Sequence, residues 1–449
     1  MTIDQHAAAG AAPRRGTPAV RPAVSRRAWA VLTVLLLLML ANFADKVVVG
    51  VAGVDIMREV RLSPDRFGVI QSSFFWLFAV GSITGGWLGG KVKARWLLGG
   101  IALLWAVSLA PMAGQVGFTA IVACRVLLGF AEGPTTALAM QATHSWFPAH
   151  KRTVPSSLVV AGAGIGPVVA APLATWMITS YSWHAAFGAL AVVGVVAAAL
   201  WLAVGRDGPL AHDDGGDGDG DGEVMAAGTL PERVPLRRLF STGTLVGLML
   251  LLLVTYAGTA VMISWLPLYL RDGLGYGANA TGRLTALPFL GTVVSVILVG
   301  FASRAMSKRG ASNRAARGIL PGCLVLAGGL ATIAFPLVGP RGVEMALIIL
   351  STSLSASSYG VAFAGLADVV PAKQRSTVFG IVTAFYSLGA IVAPIVIGKL
   401  VGASEKAADG YGHGFMMLGA AMVLGGLAVV LLTNPDRDAA KLAGHAGIG

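Results

Sequence analysis

Charged residues are scarce in this sequence. Asp, Glu, Lys and Arg make up 12% of its 449 residues, whereas a soluble domain carries about 25%. Hydrophobic residues account for 55%, and apolar stretches long enough to cross a bilayer core recur along most of the chain. This composition excludes an ordinary soluble domain and predicts an all-α membrane protein with many transmembrane helices.

Cysteine is rare as well. Cys124 and Cys323 are the only two, both in apolar stretches, and we expect buried packing residues rather than a disulfide or metal ligands. The sequence also lacks the nucleophile–base pairs, metal-ligand clusters and phosphate-binding loops that enzymes use. We therefore expect no enzymatic activity, no catalytic residue, no cofactor and no metal site.

Twelve apolar segments predict transmembrane helices in two groups of six. Their bounds are 28–54, 67–89, 96–114, 118–141, 154–178 and 184–204, then 242–270, 280–303, 317–338, 343–368, 376–400 and 412–433. The first segment is too long for a signal peptide, and no small-residue cleavage site follows it. We predict a disordered N-terminus over 1–25, a six-helix half over 26–205, a linker over 206–240, a second six-helix half over 241–434 and a polar tail over 435–449.

The net charge of +12 is unevenly distributed. Of the 33 Lys and Arg residues, 23 fall on the predicted side of the two termini, 8 on the opposite side and 2 within the membrane. Positive residues concentrate in cytoplasmic loops, so this asymmetry predicts that both termini are cytoplasmic. Because the charge reflects membrane topology, we expect no nucleic-acid partner. We also expect a monomer in the lipid bilayer of the cell membrane.

Two pairs of loop motifs repeat at equivalent places in the two halves. "GGWLGGKVKARWLL" (85–98) follows the second segment, and "GFASRAMSKRG" (300–310) follows the eighth. "WFPAHKR" (146–152) follows the fourth segment, and "VVPAKQR" (369–375) follows the tenth. Parallel halves of this kind are typical of transporters that hold substrate near the membrane midplane between the halves.

Four ionisable residues lie deep in the predicted helices, all in the first half: Asp45, Lys46, Arg125 and Glu132. At about 1.5 Å per residue, Asp45 on the first segment and Arg125 on the fourth lie at similar depth. Arg125 and Glu132 are seven residues apart and therefore share one helix face. A charge that faced lipid there would cost about 2.5–3.5 kcal/mol, so we expect these side chains to face the interior of the bundle.

The four charges are either an ion-pair cluster that joins two helices or a transport site. Intramembrane ionisable residues mark substrate pathways and proton relays, which favours the transport site. The formal charges cancel when both acids are ionised, and protonation of Asp45 and Glu132 leaves Lys46 and Arg125 in excess. Protons and an anion would then favour each other's binding, which is the linkage that a symporter needs.

The motifs around these charges resemble a known family. "NFADK" (42–46) is similar to the N-Y-x-D-R motif of the anion:cation symporter family of the major facilitator superfamily, and "RVLLGFAEGP" (125–134) is similar to its fourth-helix motif. "SWFPAHKR", "SWHAAF", "SWLPLYL" and "VAPIVIGKL" also fit this family. The resemblance covers residues 26–434 and implies the major facilitator fold, with 12 transmembrane helices in two six-helix halves.

The resemblance also implies roles for individual residues. Asp45 and Glu132 would carry protons, while Lys46 and Arg125 would bind the carboxylate of a small organic anion. Lys46 stands at the family's arginine position, so the bidentate fork of arginine is lost there. In the two repeated loops, Gly90 and Arg304 stand where the family has acids that cap helix ends and steady the outward-open state.

The predicted substrate site is less polar than in sugar-acid carriers of this family. Phe43 and Phe78 stand where those carriers have tyrosine, and Thr383 stands near an asparagine position. Specificity for hydroxyl groups requires groups that bond them, so these losses favour a weakly hydroxylated or aromatic carboxylate. The alternative is that other side chains compensate, with Tyr256, Thr259, Trp265, Ser357, Ser358, Tyr359 and Tyr386 as candidates. We include Phe43, Phe78, Tyr256, Trp265, Tyr359 and Thr383 in the predicted substrate site.

Three other functions remain open beside proton-coupled import. Efflux by proton antiport is one, since "GAGIGPVVAAP" (162–172) resembles the antiporter motif G-x-x-x-G-P-x-x-G. Gly and Pro are, however, frequent in membrane helices for packing alone. The second is import of a sugar acid, and the third is a sensor that binds substrate without transport. The charge set of the first half favours symport of protons with an organic anion.

Overall fold

The computed structural model describes residues 25–148, 151–210, 233–339 and 341–444. Most of the predicted disordered N-terminus and much of the predicted linker lie outside these ranges. The described chain forms helices α1 (Arg26–Val51), α2 (Gly53–Val60), α3 (Pro64–Ser73), α4 (Phe78–Gly89), α5 (Ala94–Leu109), α6 (Phe118–Glu132), α7 (Thr135–His144), α8 (Thr153–Ser180), α9 (Trp183–Val204), α10 (Leu236–Leu239), α11 (Gly243–Leu268), α12 (Ala278–Lys308), α13 (Leu320–Ala334), α14 (Arg341–Val369), α15 (Arg375–Ala403), α16 (Ala407–Leu432) and α17 (Pro435–Gly444).

These helices build 12 spans that are long and apolar enough to cross a membrane. Spans 1, 5, 6, 8, 10, 11 and 12 are formed by α1, α8, α9, α12, α14, α15 and α16. Span 2 combines α3 with α4, and span 4 combines α6 with α7. Span 3 is α5 with a 3-10 turn, span 7 is α11 with the π-helical segment Tyr269–Gly273, and span 9 is α13 with short π and 3-10 segments. The predicted all-α fold with twelve transmembrane helices is confirmed.

The described part of the predicted polar tail forms helix α17, which packs against α11 and α14. Asp438 is buried there, and its Oδ2 accepts hydrogen bonds from the backbone N–H (2.8 Å) and the hydroxyl (2.7 Å) of Thr244. Thr244 lies in the first turn of α11, where free N–H groups favour an anionic acceptor. Hydropathy did not indicate this helix because its few apolar residues are spread among charged ones.

Three helix pairs make most of the contacts between the two halves: α1 with α11, α3 with α15, and α8 with α12. The pair α3–α15 is close because each helix presents a glycine to the backbone of the other. A Cβ atom at Gly68 would lie 2.7 Å from the Pro394 carbonyl oxygen, and one at Gly398 would lie 2.6 Å from the Pro64 carbonyl oxygen. We call this region, formed by residues 50–68, 263–282 and 394–398, the contact end. It lies opposite to the start of α1 and the end of α16.

An ion pair links the halves at the contact end. Arg271, in the π-helical segment after α11, donates through Nη1 (2.6 Å) and Nη2 (3.1 Å) to the two carboxylate oxygens of Asp55 on α2. Among the described residues this is the one salt bridge between the halves. Hydrogen bonds from His184 and Trp183 hold Glu59 of α2 and lower its pKa. Helix α2 is thus anchored to its own half by Glu59 and to the other half by Asp55.

The loop repeat seen in the sequence is also a repeat of hydrogen bonds. Arg152 donates through Nε to the Phe147 carbonyl (2.9 Å) and through Nη2 to the His144 carbonyl (3.2 Å). In the second half, the equivalent Arg375 donates through Nε to the carbonyl of residue 370 (3.3 Å) and through Nη2 to that of residue 367 (3.0 Å). Each arginine therefore binds the carbonyls five and eight residues before it, at the end of spans 4 and 10.

Candidate functional site

Two spans of the first half are interrupted at membrane depth. Span 2 breaks between α3 and α4, where Phe74 and Phe75 lie, and span 4 breaks between α6 and α7, directly after Glu132. Pro134 accounts for the second break, because proline lacks the N–H group that a continuing helix needs. Irregular backbone at membrane depth is tolerated where it is buried or lines a cavity. The two breaks therefore mark this region as the candidate site.

The four ionisable residues lie together beside these breaks. The exposed fractions of Asp45, Lys46, Arg125 and Glu132 are 2%, 8%, 3% and 3%. The Lys46 ammonium forms an ion pair with the Glu132 carboxylate. It also donates to the backbone carbonyl (2.8 Å) and the side-chain Oδ1 (3.2 Å) of Asn42. An ammonium group has three donors, so the hydrogen-bonding capacity of Lys46 is fully used.

Arg125 and the two acids keep unpaired atoms. Nε and Nη1 of Arg125, Oδ1 of Asp45 and Oε1 of Glu132 are buried and have no hydrogen-bond partner in the described part of the chain. The Asp45 carboxyl lies beside that of Glu132 and interacts electrostatically with it and with Arg125. An unpaired buried polar group costs about 1–3 kcal/mol, and more if it is charged. The two acids can therefore take up protons, and the Arg125 guanidinium can bind an anion.

Aromatic rings surround the two cations. The Arg125 guanidinium carbon lies 4.7 Å from the ring centroid of Phe74, and Lys46 Nζ lies 5.2 Å from the same centroid. Lys46 Nζ also lies 4.4 Å from the ring of Phe43. Phe78 packs against Phe74 with ring centroids 5.9 Å apart. Cation–π contacts of this kind contribute about 0.5–2 kcal/mol each, so the rings partly replace water around the cations.

Phe74 contacts both cations but is not among the site residues predicted from the sequence. The signal available in the sequence was its spacing, because a residue four positions before Phe78 shares a helix face with it. Phe74 directly follows the last residue of α3, at the start of the break, and its side chain is fully buried. Nothing in "SSFFWLF" announces that break, since the segment contains neither proline nor glycine.

Three tyrosines from the second half face this group. The rings of Tyr256 on α11, Tyr359 on α14 and Tyr386 on α15 have centroids 4.8, 6.2 and 6.3 Å apart. Tyr256 also contacts Phe75 at 5.6 Å and lies close enough to interact electrostatically with Glu132. The Thr383 hydroxyl interacts with the phenol of Tyr386. The structure thus brings Tyr256 close to Glu132 and groups Tyr359, Thr383 and Tyr386 around Tyr256.

Trp265, the remaining residue of the predicted substrate site, lies in a different cluster. Its ring is fully buried and packs against Phe67 (5.5 Å) and Tyr411 (5.9 Å) near the contact end. Ser357 and Ser358 donate their hydroxyls to carbonyls of their own helix, at residues 354 and 355. We therefore leave these three residues out of the candidate site.

The cysteines and potential metal ligands lie outside the site as well. Cys124 is buried as predicted, but Cys323 is exposed on the surface of the bundle, so that prediction is wrong. The outer surface of a membrane protein is apolar too, and an apolar neighbourhood in the sequence therefore does not show which face is buried. Among the described residues, no group of three or more His, Cys, Asp or Glu is placed to hold a metal ion.

Comparison with known proteins identifies relatives over nearly the whole chain. The profile of the Major Facilitator Superfamily matches residues 34–363. A probable sulfoacetate transporter of Cupriavidus necator is 27% identical, and the alignment covers 92% of this chain and 96% of that protein. A D-galactonate transporter of Escherichia coli is 24% identical, with coverages of 91% and 96%. A probable galactarate/D-glucarate transporter of Bacillus subtilis is 23% identical, with coverages of 91% and 92%.

Solved structures share the fold. A bacterial homolog of the human lysosomal transporter Spinster superposes with a TM-score of 0.75 at 17% identity, covering 93% of this chain and 98% of that one. A D-xylose-proton symporter superposes with a TM-score of 0.72 at 17% identity, with coverages of 91% and 99%. At such identities the likeness concerns the arrangement of helices alone.

Proposed function

Because this chain belongs to the Major Facilitator Superfamily, we propose that its halves alternate around the buried charges and that it imports a small organic anion together with protons. Its similarity to transporters over nine-tenths of its length makes it a multi-pass membrane transporter. The observation that carries the finer proposal is the joint burial of two acids and two cations, with unpaired atoms on both acids and on Arg125.

Protonation of the acids would open this site to an anion. With both acids ionised the formal charges cancel, and Glu132 holds the Lys46 ammonium. A proton on Glu132 removes the charge that holds Lys46, and a proton on Asp45 removes the negative charge that faces Arg125. The cations then attract a carboxylate. The bound carboxylate in turn favours the protonated acids, because linkage between two ligands is reciprocal.

We propose as substrate a carboxylate that is aromatic or carries few hydroxyl groups, since phenyl rings surround the cations. A sugar acid is the second candidate, favoured by the galactonate and galactarate/D-glucarate transporters among the relatives. A thermal-shift panel of aromatic, aliphatic and polyhydroxy carboxylates would separate the two classes, because a ligand that binds only the folded state raises the Tm.

We further propose that the protein acts as a monomer in the cell membrane with both termini in the cytoplasm. The concentration of Lys and Arg on the side of the termini supports this orientation. The contact end then faces the outside of the cell. The described conformation, in which the halves meet at that end, would be the one that is closed to the outside.

Neutralising the ion pair at the contact end should shift the protein toward the outward-open conformation. Asp55→Asn and Arg271→Gln each remove one charge of the pair and leave the neighbouring helices unchanged. A partly exposed pair contributes about 1 kcal/mol, so we expect a cysteine at Ala52 to be labelled about fivefold faster. Ala52 is fully buried at this end. Labelling with an impermeant maleimide would be measured in a protein without Cys124 and Cys323.

A charge exchange provides the control for this experiment. Asp55→Arg combined with Arg271→Asp re-forms the pair with reversed sign and should restore slow labelling. Glu405→Gln neutralises an exposed acid at the same side of the bundle and should have no effect. Unchanged labelling in both single variants would contradict a role of the pair in closing this end.

Anion binding should be accompanied by proton uptake. A carboxylate identified in the thermal-shift panel, mixed with the purified protein in unbuffered detergent solution, should raise the pH of the solution. The physical reason is the reciprocal linkage between proton and anion. The same mixing with Arg125→Ala protein controls for protons carried by the ligand itself.

Efflux by antiport predicts the opposite sign, with protons released when substrate binds. The small-residue motif of α8 does not support antiport, because its glycine Gly166 allows α8 to pack closely against α1. A Cβ atom at Gly166 would lie 2.7 Å from the Leu40 carbonyl oxygen and 3.0 Å from Cβ of Phe43, both on α1. Proton release on mixing would nevertheless replace the symport proposal by efflux.

A further inference from the structure

The tyrosine cluster, formed by Tyr256, Tyr359 and Tyr386, is a polar group that proton–anion coupling does not require. Its rings come from three different helices and have centroids no more than 6.3 Å apart. Oη of Tyr359 is buried and has no hydrogen-bond partner among the described residues. A phenol can both donate and accept a hydrogen bond, and burying it unpaired costs about 1–3 kcal/mol. Tyr359 therefore keeps unused hydrogen-bonding capacity, within a cluster that meets the first half where Tyr256 contacts Phe75.

The tyrosine cluster is also electrically neutral. The buried acids of the second half, Glu344 and Asp438, are bonded elsewhere, to Tyr269 and Thr244. In the described part of this half no Lys or Arg is buried. The cluster can therefore recognise a substituent through hydrogen bonds and ring contacts, but it cannot neutralise a second full negative charge. In this respect it differs from the cations of the first half.

A chain of phenyl rings connects the tyrosine cluster with Arg125. Tyr256 contacts the ring of Phe75 (5.6 Å), Phe75 contacts Phe74 (4.9 Å), and Phe74 contacts the Arg125 guanidinium (4.7 Å). Phenyl rings offer no conventional hydrogen bond, so each hydroxyl of a polyol held against them would remain unpaired at a cost of about 1–3 kcal/mol. A flat unsaturated group would instead make edge-to-face contacts like those among the rings themselves.

We propose that the tyrosine cluster is a second recognition site, which binds a hydrogen-bonding substituent at the end of the substrate opposite to its carboxylate. The substrate is then a carboxylate with a flat, unsaturated middle and one uncharged polar group at the far end. This inference rests on the proposed function, because it places the carboxylate at Lys46 and Arg125. It adds Tyr386 to the residues that determine specificity.

Benzoate and 4-hydroxybenzoate test the proposal, because they differ by one hydroxyl group. Isothermal titration of the full-length protein in detergent should show 4-hydroxybenzoate binding about tenfold more tightly, as expected for one net hydrogen bond. In Tyr359→Phe this preference should fall to about twofold, because the ring remains and only the hydroxyl is lost. Tyr386→Phe is a second variant with the same expectation. Tyr181→Phe changes an exposed tyrosine and should keep the full preference.

Equal affinities for the two probes in the wild type would overturn the proposal. So would a preference that survives in both cluster variants, or tighter binding of glucarate or sulfoacetate than of 4-hydroxybenzoate. The proposed function is tested by other readouts, namely proton uptake on binding and the loss of affinity in Arg125→Ala. If glucarate or sulfoacetate binds with proton uptake while both benzoates fail to bind, the tyrosine proposal is overturned and the symport proposal stands.

Discussion

Asp45→Asn and Glu132→Gln should each reduce proton-driven uptake into proteoliposomes to the background of protein-free liposomes. Each substitution mimics the protonated acid in size and charge, so an anion can still bind, but no proton can be released on the other side. Exchange of labelled for unlabelled substrate requires no net proton transfer. We therefore expect this exchange to survive in at least one of the two variants.

The ion pair between Lys46 and Glu132 adds a second expected result. In the wild type, anion affinity should fall as the pH rises, because ionised acids neutralise the cations. In Glu132→Gln the Lys46 ammonium has no carboxylate partner at any pH, so the affinity should depend less on pH. Titration of a bound carboxylate across a pH series measures this, with Glu405→Gln as the exposed-acid control. Full pH-dependent uptake in both acid variants would remove them from proton coupling.

The number and order of the membrane helices could be predicted because hydropathy reports the environment of whole segments. The ends of the helices were harder to predict. The last span, for example, was predicted to begin at residue 412 but begins at Ala407. Its first turn contains Asp409, and a polar residue there lowers the mean hydropathy without preventing a helix. Pro134 indicates the break in span 4, whereas no residue in the sequence indicates the break in span 2.

The charged part of the candidate site could be predicted because placing a charge within a membrane costs free energy, so that such residues are few and conspicuous in the sequence. Aromatic residues carry no such signal, since they are common on every face of a membrane helix. Which ring meets a cation is decided by helix packing, and this is why Phe74 was missed. It is also why Trp265, chosen by residue type, lies in another cluster.

The burial of an acidic residue can also be hidden from the sequence, as Glu344 shows. It lies in the first turn of α14, where the sequence indicates an exposed end, yet its exposed fraction is 5%. The Tyr269 hydroxyl donates to its carboxylate. Two aromatic rings pack against Tyr269: Phe335, in the 3-10 segment after α13, and Phe415, on α16. Burial of this acid is thus a property of the assembled half.

Arg125→Ala should weaken anion binding more than any other single substitution in the site. Nε and Nη1 of Arg125 have no partner among the described residues, whereas the donors of Lys46 are taken by Asn42 and Glu132. Removing a desolvated charge that binds an opposite charge costs about 2–5 kcal/mol, which corresponds to a Kd at least about thirtyfold higher. Lys46→Ala should also weaken binding, but by less, because the lysine is free only when Glu132 is protonated.

The conservative exchanges separate the roles of the two cations. Lys46→Arg should retain function better than Arg125→Lys, because a guanidinium at position 46 can still bond Asn42 and Glu132. A lysine at position 125 loses both the planar fork and the contact of that fork with Phe74, so affinity should fall. Isothermal titration with one carboxylate measures all four variants, and Arg283→Ala, an exposed arginine, should bind it like the wild type. Near-normal affinity in both alanine variants would leave the four charges as an ion-pair cluster that joins α1 to α6.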